Sequence, residues 1–154
     1  MRIGIFGGTF DPVHVGHLIV AELAREATGL DEVWFVPAAR PPHKARELTP
    51  FDKRADMIQL ALAGHSHMRL SDVEKNRPGP SYTADTLVSL RAARPEVDWH
   101  LILGSDCLPD MPGWHEPRRI VTQAKLVVVA RPGYPTWSAE QLRDALGLTP
   151  TQSL

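Results

Sequence analysis

Residues 2–17 read RIGIFGGTFDPVHVGH, and this stretch predicts the first unit of the fold. The apolar run at 2–6 stops at two glycines, which is typical of a buried strand that runs into a loop. Four apolar residues then follow at helical spacing, namely Val20, Leu23, Ala24 and Ala27. The stretch therefore predicts a strand, a glycine-containing loop and a helix.

Strand-like and helix-like patterns alternate along the rest of the chain. Further strands are predicted at 32–37, 68–74, 99–104 and 125–130. Helices are predicted from an N-cap at Thr49 to about Gly64, at 83–93, and at 139–146 behind a capping box of Ser138 and Gln141. This alternation predicts an α/β fold of βαβ units with a doubly wound parallel sheet.

The position of a ligand site follows from this topology. In a doubly wound sheet with strand order 3-2-1-4-5, ligands bind outside the carboxyl ends of strands one and four, where the order reverses. We therefore expect the loops at 7–17 and 104–106 to form the site.

Composition and charge exclude several classes of protein. The 154 residues are typical of one domain, which we expect to span 1–154. With 17 basic and 18 acidic residues the net charge is −1, so no basic excess indicates binding to nucleic acid or a membrane surface. The single cysteine cannot form an internal disulfide, and no apolar run resembles a signal peptide or approaches the ~20 residues of a membrane span. We expect a cytoplasmic protein.

The loop at 7–17 carries the residues that indicate chemistry. Gly7 and Gly8 let a ligand approach the backbone, and Thr9 adds a hydroxyl before the start of a helix, where a phosphate is favoured. His14 and His17 are three residues apart and share one face of the first helical turn. Two imidazoles beside an anion site can offset the charge that develops during phosphoryl or nucleotidyl transfer.

Each of these features alone has a simpler explanation. Two glycines after a strand form an ordinary turn, and the loop lacks the G-x-G-x-x-G spacing of a dehydrogenase. Two histidines at helical spacing are often a solvated helix face or a metal site. Their combination at a predicted strand-to-helix turn favours a phosphate-binding site.

The string GGTFDPVHVGH resembles the signature of nucleotidyltransferases with the H-x-G-H motif, and more narrowly that of bacterial nicotinate-nucleotide adenylyltransferases. Further blocks resemble this family in order: PAARPPHK (37–44), GPSYTADTL (79–87), LGSDCLPDMPGW (103–114) and ARPG (130–133). The first block is shared with pantetheine-phosphate and glycerol-phosphate relatives. The narrower resemblance to nicotinate-nucleotide adenylyltransferases depends on three later motifs: PPHK, SYTADTL, and G-x-D-x-L with a following tryptophan.

The resemblance implies a Rossmann-like nucleotidyltransferase fold and a reaction in NAD biosynthesis. AMP passes from ATP to nicotinate mononucleotide, giving nicotinate adenine dinucleotide and pyrophosphate, with Mg²⁺ as cofactor and no metal ligand assigned in the protein. The 5′-phosphate of the mononucleotide attacks the α-phosphorus directly, so no residue acts as a nucleophile. ATP and nicotinate mononucleotide are the implied partners, without nucleic acid or membrane, and the oligomeric state is left open.

The resemblance also implies which residues bind the nucleotide that donates AMP. The nucleotide-binding residues are Gly7, Gly8, Thr9, Phe10, Gly104 and Asp106, and the catalytic ones are His14, His17 and Lys44. The carboxylate at the end of strand four would contact ribose hydroxyls or orient a neighbour. The lysine would add positive charge from the loop after strand two, although seen alone it is more simply a solvated loop residue.

Three residues are implied on the acceptor side. The backbone N–H groups of Tyr82 and Thr83 would hold the nicotinate carboxylate at a helix N-terminus, and Trp114 would stack on the pyridine ring. A helix N-cap at Ser81 or Thr83 and a buried core tryptophan are the structural alternatives. Cys107 lies beside the expected site but is given no catalytic role.

One departure from the family pattern concerns the region after ARPG. The family usually continues through a block resembling I-S-S-T-x-I-R, whose helix N-terminus and arginine hold ATP phosphates, whereas this chain ends at TPTQSL. We therefore expect part of the ATP phosphate cradle to be missing from it. Two alternatives to the proposed enzyme stay open: another adenylyl- or cytidylyltransferase with a different acceptor, and a nucleotide-binding module without turnover.

Overall fold

A computed structural model describes residues 1–41 and 47–148. Its strands are β1 (Arg2–Gly8), β2 (Glu32–Pro37), β3 (Met68–Leu70), β4 (Asp98–Gly104) and β5 (Lys125–Val129). All neighbouring strands pair in parallel, in the order β3-β2-β1-β4-β5. The predicted α/β class, the parallel doubly wound sheet and the strand order are confirmed.

Helices cover both faces of this sheet. They are α1 (Val15–Thr28), α2 (Phe51–Ala61), α3 (Thr83–Ala93), α4 (Pro117–Gln123) and α5 (Ala139–Leu146), and two short 3₁₀ turns lie between β4 and α4. Buried residues of α1 and α2 pack in one core cluster, and those of α3, α4 and α5 pack in another. Among the described residues no helix is both long and apolar enough to cross a membrane.

The two core layers follow from the alternation of side chains along the central strands. In β4, Trp99, Leu101 and Leu103 face the layer of α3 to α5, whereas Ile102 faces the layer of α1 and α2. Buried on both faces, the strand is almost continuously apolar, as expected for a central parallel strand. This rigid sheet carries the loops that leave its carboxyl edge.

The predicted third strand, 68–74, is too long. The β3 strand pairs with β2 only from Met68 to Leu70. Ser71 still donates its amide hydrogen to the carbonyl of Phe35, but the chain then turns, with the amide of Lys75 bonded to the carbonyl of Asp72. The turn directs the following residues toward the carboxyl edge of the sheet.

The predicted start of the second helix is also wrong. Pro50, not Thr49, is the N-cap of α2, and the helix ends at Ala61 rather than near Gly64. The backbone of Thr49 serves tertiary contacts instead: its amide donates to Asp11 Oδ2 at 3.0 Å, and its carbonyl accepts from Arg54 Nε at 2.8 Å. The N-cap motif read from residues 49–52 contains neither Asp11 nor Arg54, so it could not predict these contacts.

Helix α1 forms as predicted, but only two of its four predicted apolar positions, Val20 and Ala24, pack against the core. Leu23 is 56% exposed, whereas Ala21 and Ala24 are fully buried. Small side chains let the helix lie close to the sheet, so the alanines rather than the leucine determine its orientation. The helix ends at Gly29, whose φ of 65° is the left-handed conformation that glycine favours.

Candidate active site

A cavity of about 670 Å³ lies at the carboxyl ends of β1 and β4, where the strand order reverses. Every predicted site residue within the described part of the chain lines it: Gly7, Gly8, Thr9, Phe10, His14, His17, Tyr82, Thr83, Gly104, Asp106 and Trp114. The predicted Lys44 and the final residues 149–154 lie outside the described residues. The structure thus brings the predicted residues together, while their chemical roles stay predictions.

The two histidines are held together at the start of α1. His14 is the N-cap residue, and its backbone amide donates to Nδ1 of His17 at 3.0 Å. The two rings stack, with centroids 3.8 Å apart. A side chain on the intervening Gly16 would place its Cβ 2.9 Å from the His14 ring, so only glycine fits this arrangement without a shift.

The bond to Nδ1 determines the tautomer of His17. Because Nδ1 accepts a hydrogen bond, the proton of the neutral ring must sit on Nε2. Burial, the neighbouring His14 and the positive charge of Arg131 lower the pKa of His17 to about 4. At neutral pH, His17 is therefore an uncharged hydrogen-bond donor on the cavity wall.

Aromatic packing fixes the position of this donor. The ring of Phe10 meets the His17 ring edge to face at 4.9 Å and the Phe6 ring at 5.6 Å. Phe10 is 2% exposed and has a φ of 49°, a conformation uncommon outside glycine. The buried ring of Phe10 therefore supports the imidazole of His17. The packing around the Phe10 ring compensates for the uncommon backbone conformation of this residue.

The opposite wall is formed by an ion pair that follows β4 and β5. Asp106 Oδ1 lies 3.4 Å from Arg131 Nε. The fully buried hydroxyl of Ser105 accepts from the amide of Arg131 at 2.8 Å and donates to the carbonyl of Tyr134 at 2.7 Å. This hydroxyl fastens the turn that carries Arg131 to the end of β4. A cation is thereby held at the cavity in the region where phosphates were predicted.

The third wall is aromatic and lies at the beginning of α3. Tyr82 is the N-cap of α3, and its ring stacks on His115 with centroids 4.1 Å apart. Trp114 is half-buried: it packs against the edge of the core and also lines the cavity, and its stacking on a pyridine ring stays a prediction. Neither Ser81 nor Thr83 is the N-cap.

Several residues of this cavity were not singled out from the sequence, among them Arg131, His115 and Glu74. Arg131 lies within the ARPG block and His115 directly follows the predicted Trp114, so the blocks were recognised but these side chains were not singled out. Glu74 lies on the turn that the predicted third strand obscured. Cys107, which was given no catalytic role, also lines the cavity, and burial and the charge of Asp106 raise the pKa of its thiol.

A group of possible metal ligands includes His115, which also lines the cavity. Within residues 1–41 and 47–148, Asp85, His115 and Glu116 form a group whose ligand atoms lie within 4.8 Å of one another. The loop at 7–9 instead offers backbone and hydroxyl groups. The chemistry of that loop suits a nucleotide that brings a metal ion on its own phosphates.

The sheet order, the cavity at its switch point and the histidine loop define a Rossmann-like nucleotidyltransferase fold. A family model described as cytidylyltransferase-like matches residues 5–151. A solved structure of Plasmodium falciparum nicotinic acid mononucleotide adenylyltransferase, complexed with NaAD, has a similar fold. Its TM-score is 0.78 at 24% identity, and the match covers 99% of this chain and 77% of that one.

The curated relatives of this chain share one more specific name within this class of nucleotidyltransferases. Proteins named probable nicotinate-nucleotide adenylyltransferase are 51% identical in Thermomicrobium roseum and 48% in Gloeobacter violaceus, each over 86% of this chain. A protein of that name in Thermus thermophilus is 49% identical over 88% of this chain and 72% of its own length. The chain belongs to the nicotinate-nucleotide adenylyltransferases within the cytidylyltransferase-like family. It spans 62% and 65% of the length of the first two relatives.

Proposed function

We propose that the chain transfers AMP from ATP to nicotinate mononucleotide, giving nicotinate adenine dinucleotide and pyrophosphate, as a step of NAD biosynthesis. The observation that carries the proposal is that a single cavity is lined by both the histidine loop and the N-terminus of α3. The first offers donors to phosphates, and the second offers an anion site for the acceptor. The names of the relatives support the same reaction.

On the donor side, the backbone at Gly7, Gly8 and Thr9 faces the phosphates of ATP. The Nε2 hydrogen of His17 bonds a non-bridging oxygen of the transferred phosphoryl group, and Arg131 adds a full positive charge. Because the imidazole is already held by His14 and Phe10, little reorganisation is needed when charge develops.

The chemical step needs no protein nucleophile. An oxygen of the mononucleotide 5′-phosphate attacks the α-phosphorus of ATP, and the bond from that phosphorus to the bridging oxygen breaks. Pyrophosphate leaves with the electron pair of that bond. The protein contributes orientation and charge stabilisation, which are the main requirements of phosphoryl and nucleotidyl transfer.

Mg²⁺ enters with ATP in this proposal. Magnesium usually keeps several waters and binds through substrate phosphates and one or two carboxylates, and Asp106 offers a carboxylate on the cavity wall. When bound, the ion neutralises negative charge on the phosphates. Asp106 also holds Arg131, so it orients a cation whether or not it meets the metal.

A coupled assay tests the proposed function. Purified protein with Mg²⁺, ATP and nicotinate mononucleotide should release pyrophosphate and form nicotinate adenine dinucleotide. The panel includes CTP as donor, and pantetheine phosphate and glycerol phosphate as acceptors. Turnover only with another pair would support a different transferase, and nucleotide binding without pyrophosphate release would support a binding module.

The acceptor should be chosen by its acid group. We expect kcat/KM for nicotinate mononucleotide to exceed that for nicotinamide mononucleotide about tenfold or more, because a carboxylate gains charge-assisted bonds from the first N–H groups of α3 that a neutral amide does not. The Tyr82→Phe variant keeps the backbone amide and should keep the preference. Equal kcat/KM values for the two mononucleotides would contradict recognition at this helix.

His17 should titrate far below an ordinary histidine. Its folded-state pKa of about 4 lies below the usual 6.5, so the ring stays neutral from pH 8 down to about pH 5. Because the unfolded chain binds this proton more readily, the contribution of His17 to stability is present above pH 6.5 and is lost as the pH falls toward 4.

Imidazole ¹⁵N NMR measures this titration directly. The His17 resonances, assigned by comparison with His17→Gln, should show a proton on Nε2 at neutral pH. A midpoint near 6.5, or a proton on Nδ1, would contradict the neutral-donor assignment.

Several expectations from the sequence remain proposals. They are the contribution of Lys44 to the positive charge of the site, a single domain over 1–154 and a cytoplasmic location.

A further inference from the structure

Glu74 is a buried carboxyl group that the proposed reaction does not use. It is 6% exposed, lies on the turn after β3 and lines the cavity. Its Oε2 atom is shielded from solvent. Burial raises the pKa of Glu74. Burying a carboxyl group costs free energy, so an apolar side chain would fill this space at lower cost. The position of Glu74 therefore indicates a functional role.

A chain of polar contacts leads from Glu74 to the beginning of α3. The hydroxyl of Thr86, which is 2% exposed, donates to Glu74 Oε1 at 2.6 Å and accepts from Arg77 Nη2 at 2.7 Å. The same Arg77 nitrogen lies 3.3 Å from the carbonyl of Tyr82. Tyr82 is the N-cap of α3, so the chain of contacts ends where the proposed carboxylate site begins.

A second set of contacts fixes the outer side of this loop. The amide of Ser81 donates to the carbonyl of Arg40 at 2.8 Å, and the amide of Arg40 donates to Ser81 Oγ at 2.9 Å. Glu74 lies at the junction of the two loops, where both Ser81 and the backbone of Ala39 act to lower its pKa. The two bonds between Ser81 and Arg40 do not involve Glu74, so removing the Glu74 charge should loosen the inner contacts while these two bonds remain.

We infer that Glu74 is a positioning residue for the acceptor: through Thr86 and Arg77 it holds Tyr82 so that the first N–H groups of α3 face the cavity. This inference rests on the proposed function, since it concerns how the acceptor carboxylate is recognised. Glu74 acts through other residues and has no part in bond making. Its effect should therefore fall on mononucleotide affinity and on the acid-to-amide preference, with ATP affinity unchanged.

The test compares Glu74→Gln with a matched control at the opposite edge of the sheet. Glu32 is also a largely buried carboxyl group, which bonds Trp34 Nε1 at 2.8 Å and pairs with Arg69 at 2.7 Å. Calorimetric titration of nicotinate mononucleotide should give a Kd about tenfold higher for Glu74→Gln, the effect of one charge-assisted contact. Glu32→Gln should leave both affinities unchanged.

Thr86→Val provides an independent break in the same chain of contacts. It removes the hydroxyl but keeps the shape of the side chain and the charge of Glu74, so it covers the case in which Glu74→Gln fails to fold. We expect it to weaken mononucleotide binding and to lower the preference for the acid over the amide.

The results for the variants test the role of Glu74, and the results for the wild-type protein test the proposed function. A folded Glu74→Gln or Thr86→Val protein with wild-type mononucleotide affinity would overturn the inference alone, and so would an equal loss of ATP and mononucleotide affinity. A wild-type protein that neither binds nicotinate mononucleotide nor turns it over would overturn the proposed function, and the inference with it.

Discussion

Replacing His17 by alanine should lower kcat by about 10²- to 10³-fold, the usual loss when one preorganised donor to a developing charge is removed. The ring lines the cavity, its Nδ1 is occupied by the amide of His14, and its Nε2 hydrogen is left for the substrate. The interaction strengthens as charge develops, so kcat should fall more than substrate affinity does.

The measurement pairs steady-state kinetics with thermal unfolding. His65→Ala removes an exposed histidine that does not line the cavity and should leave kcat unchanged. His17→Asn keeps a side-chain N–H donor on a shorter side chain. Its kcat should lie between the values for the wild type and for His17→Ala. A folded His17→Ala protein with near-wild-type kcat would show that His17 is not catalytic.

Much of the fold could be predicted because its local signals are strong. Buried parallel strands are continuous apolar runs, and β1 and β4 sit where such runs occur. The predicted capping box is also confirmed: Ser138 Oγ accepts from the amide of Gln141, and Gln141 Oε1 accepts from the amide of Ser138. Both are contacts between near neighbours, which a sequence pattern can encode.

The location of the cavity could be predicted from topology, but its architecture could not. The strand order alone predicts that the loops at 7–17 and 104–106 lie side by side, because both follow strands at the point where the order reverses. The orientation of Arg131 depends on the hydroxyl of Ser105, which lies 26 residues away in the sequence. The ring of His115 is recognised as part of the wall only from its stack on Tyr82.

The wrong predictions share one physical cause. Thr49 has the residue type of an N-cap, but its amide and carbonyl bond Asp11 and Arg54 instead. Residues 71–74 alternate like a strand, but β2 pairs with β3 only as far as Phe35, and the chain turns toward the cavity. Tertiary contacts around the site override local preference in both places, and the turn is what brings Glu74 to the cavity wall.

Replacing Arg54 by alanine should lower the free energy of unfolding by about 3–5 kcal/mol, because it removes three hydrogen bonds from a charged donor at ~1.5–3 kcal/mol each, which are less than additive within one side chain. Arg54 is 1% exposed, and its guanidinium donates to the carbonyls of Thr49 at 2.8 Å, Thr9 at 2.8 Å and Ala38 at 2.9 Å. Alanine leaves all three carbonyls without this donor and leaves a cavity in place of the buried side chain.

Thermal unfolding measures the effect, with an exposed arginine as the control. For a chain of this size, ~1 kcal/mol shifts Tm by about 2–4 °C, so Arg54→Ala should lower Tm by roughly 6–20 °C. The side chain of Arg69 is 62% exposed, and Glu32 keeps its hydrogen bond from Trp34 Nε1 when this arginine is removed, so Arg69→Ala should cost only about 1 kcal/mol. Arg54→Lys keeps the charge but replaces the rigid planar fork with a single ammonium group, so it should recover only part of the loss. Equal Tm values for Arg54→Ala and Arg69→Ala would mean that these carbonyls find other donors, and that the loop at Thr9 is held without the arginine.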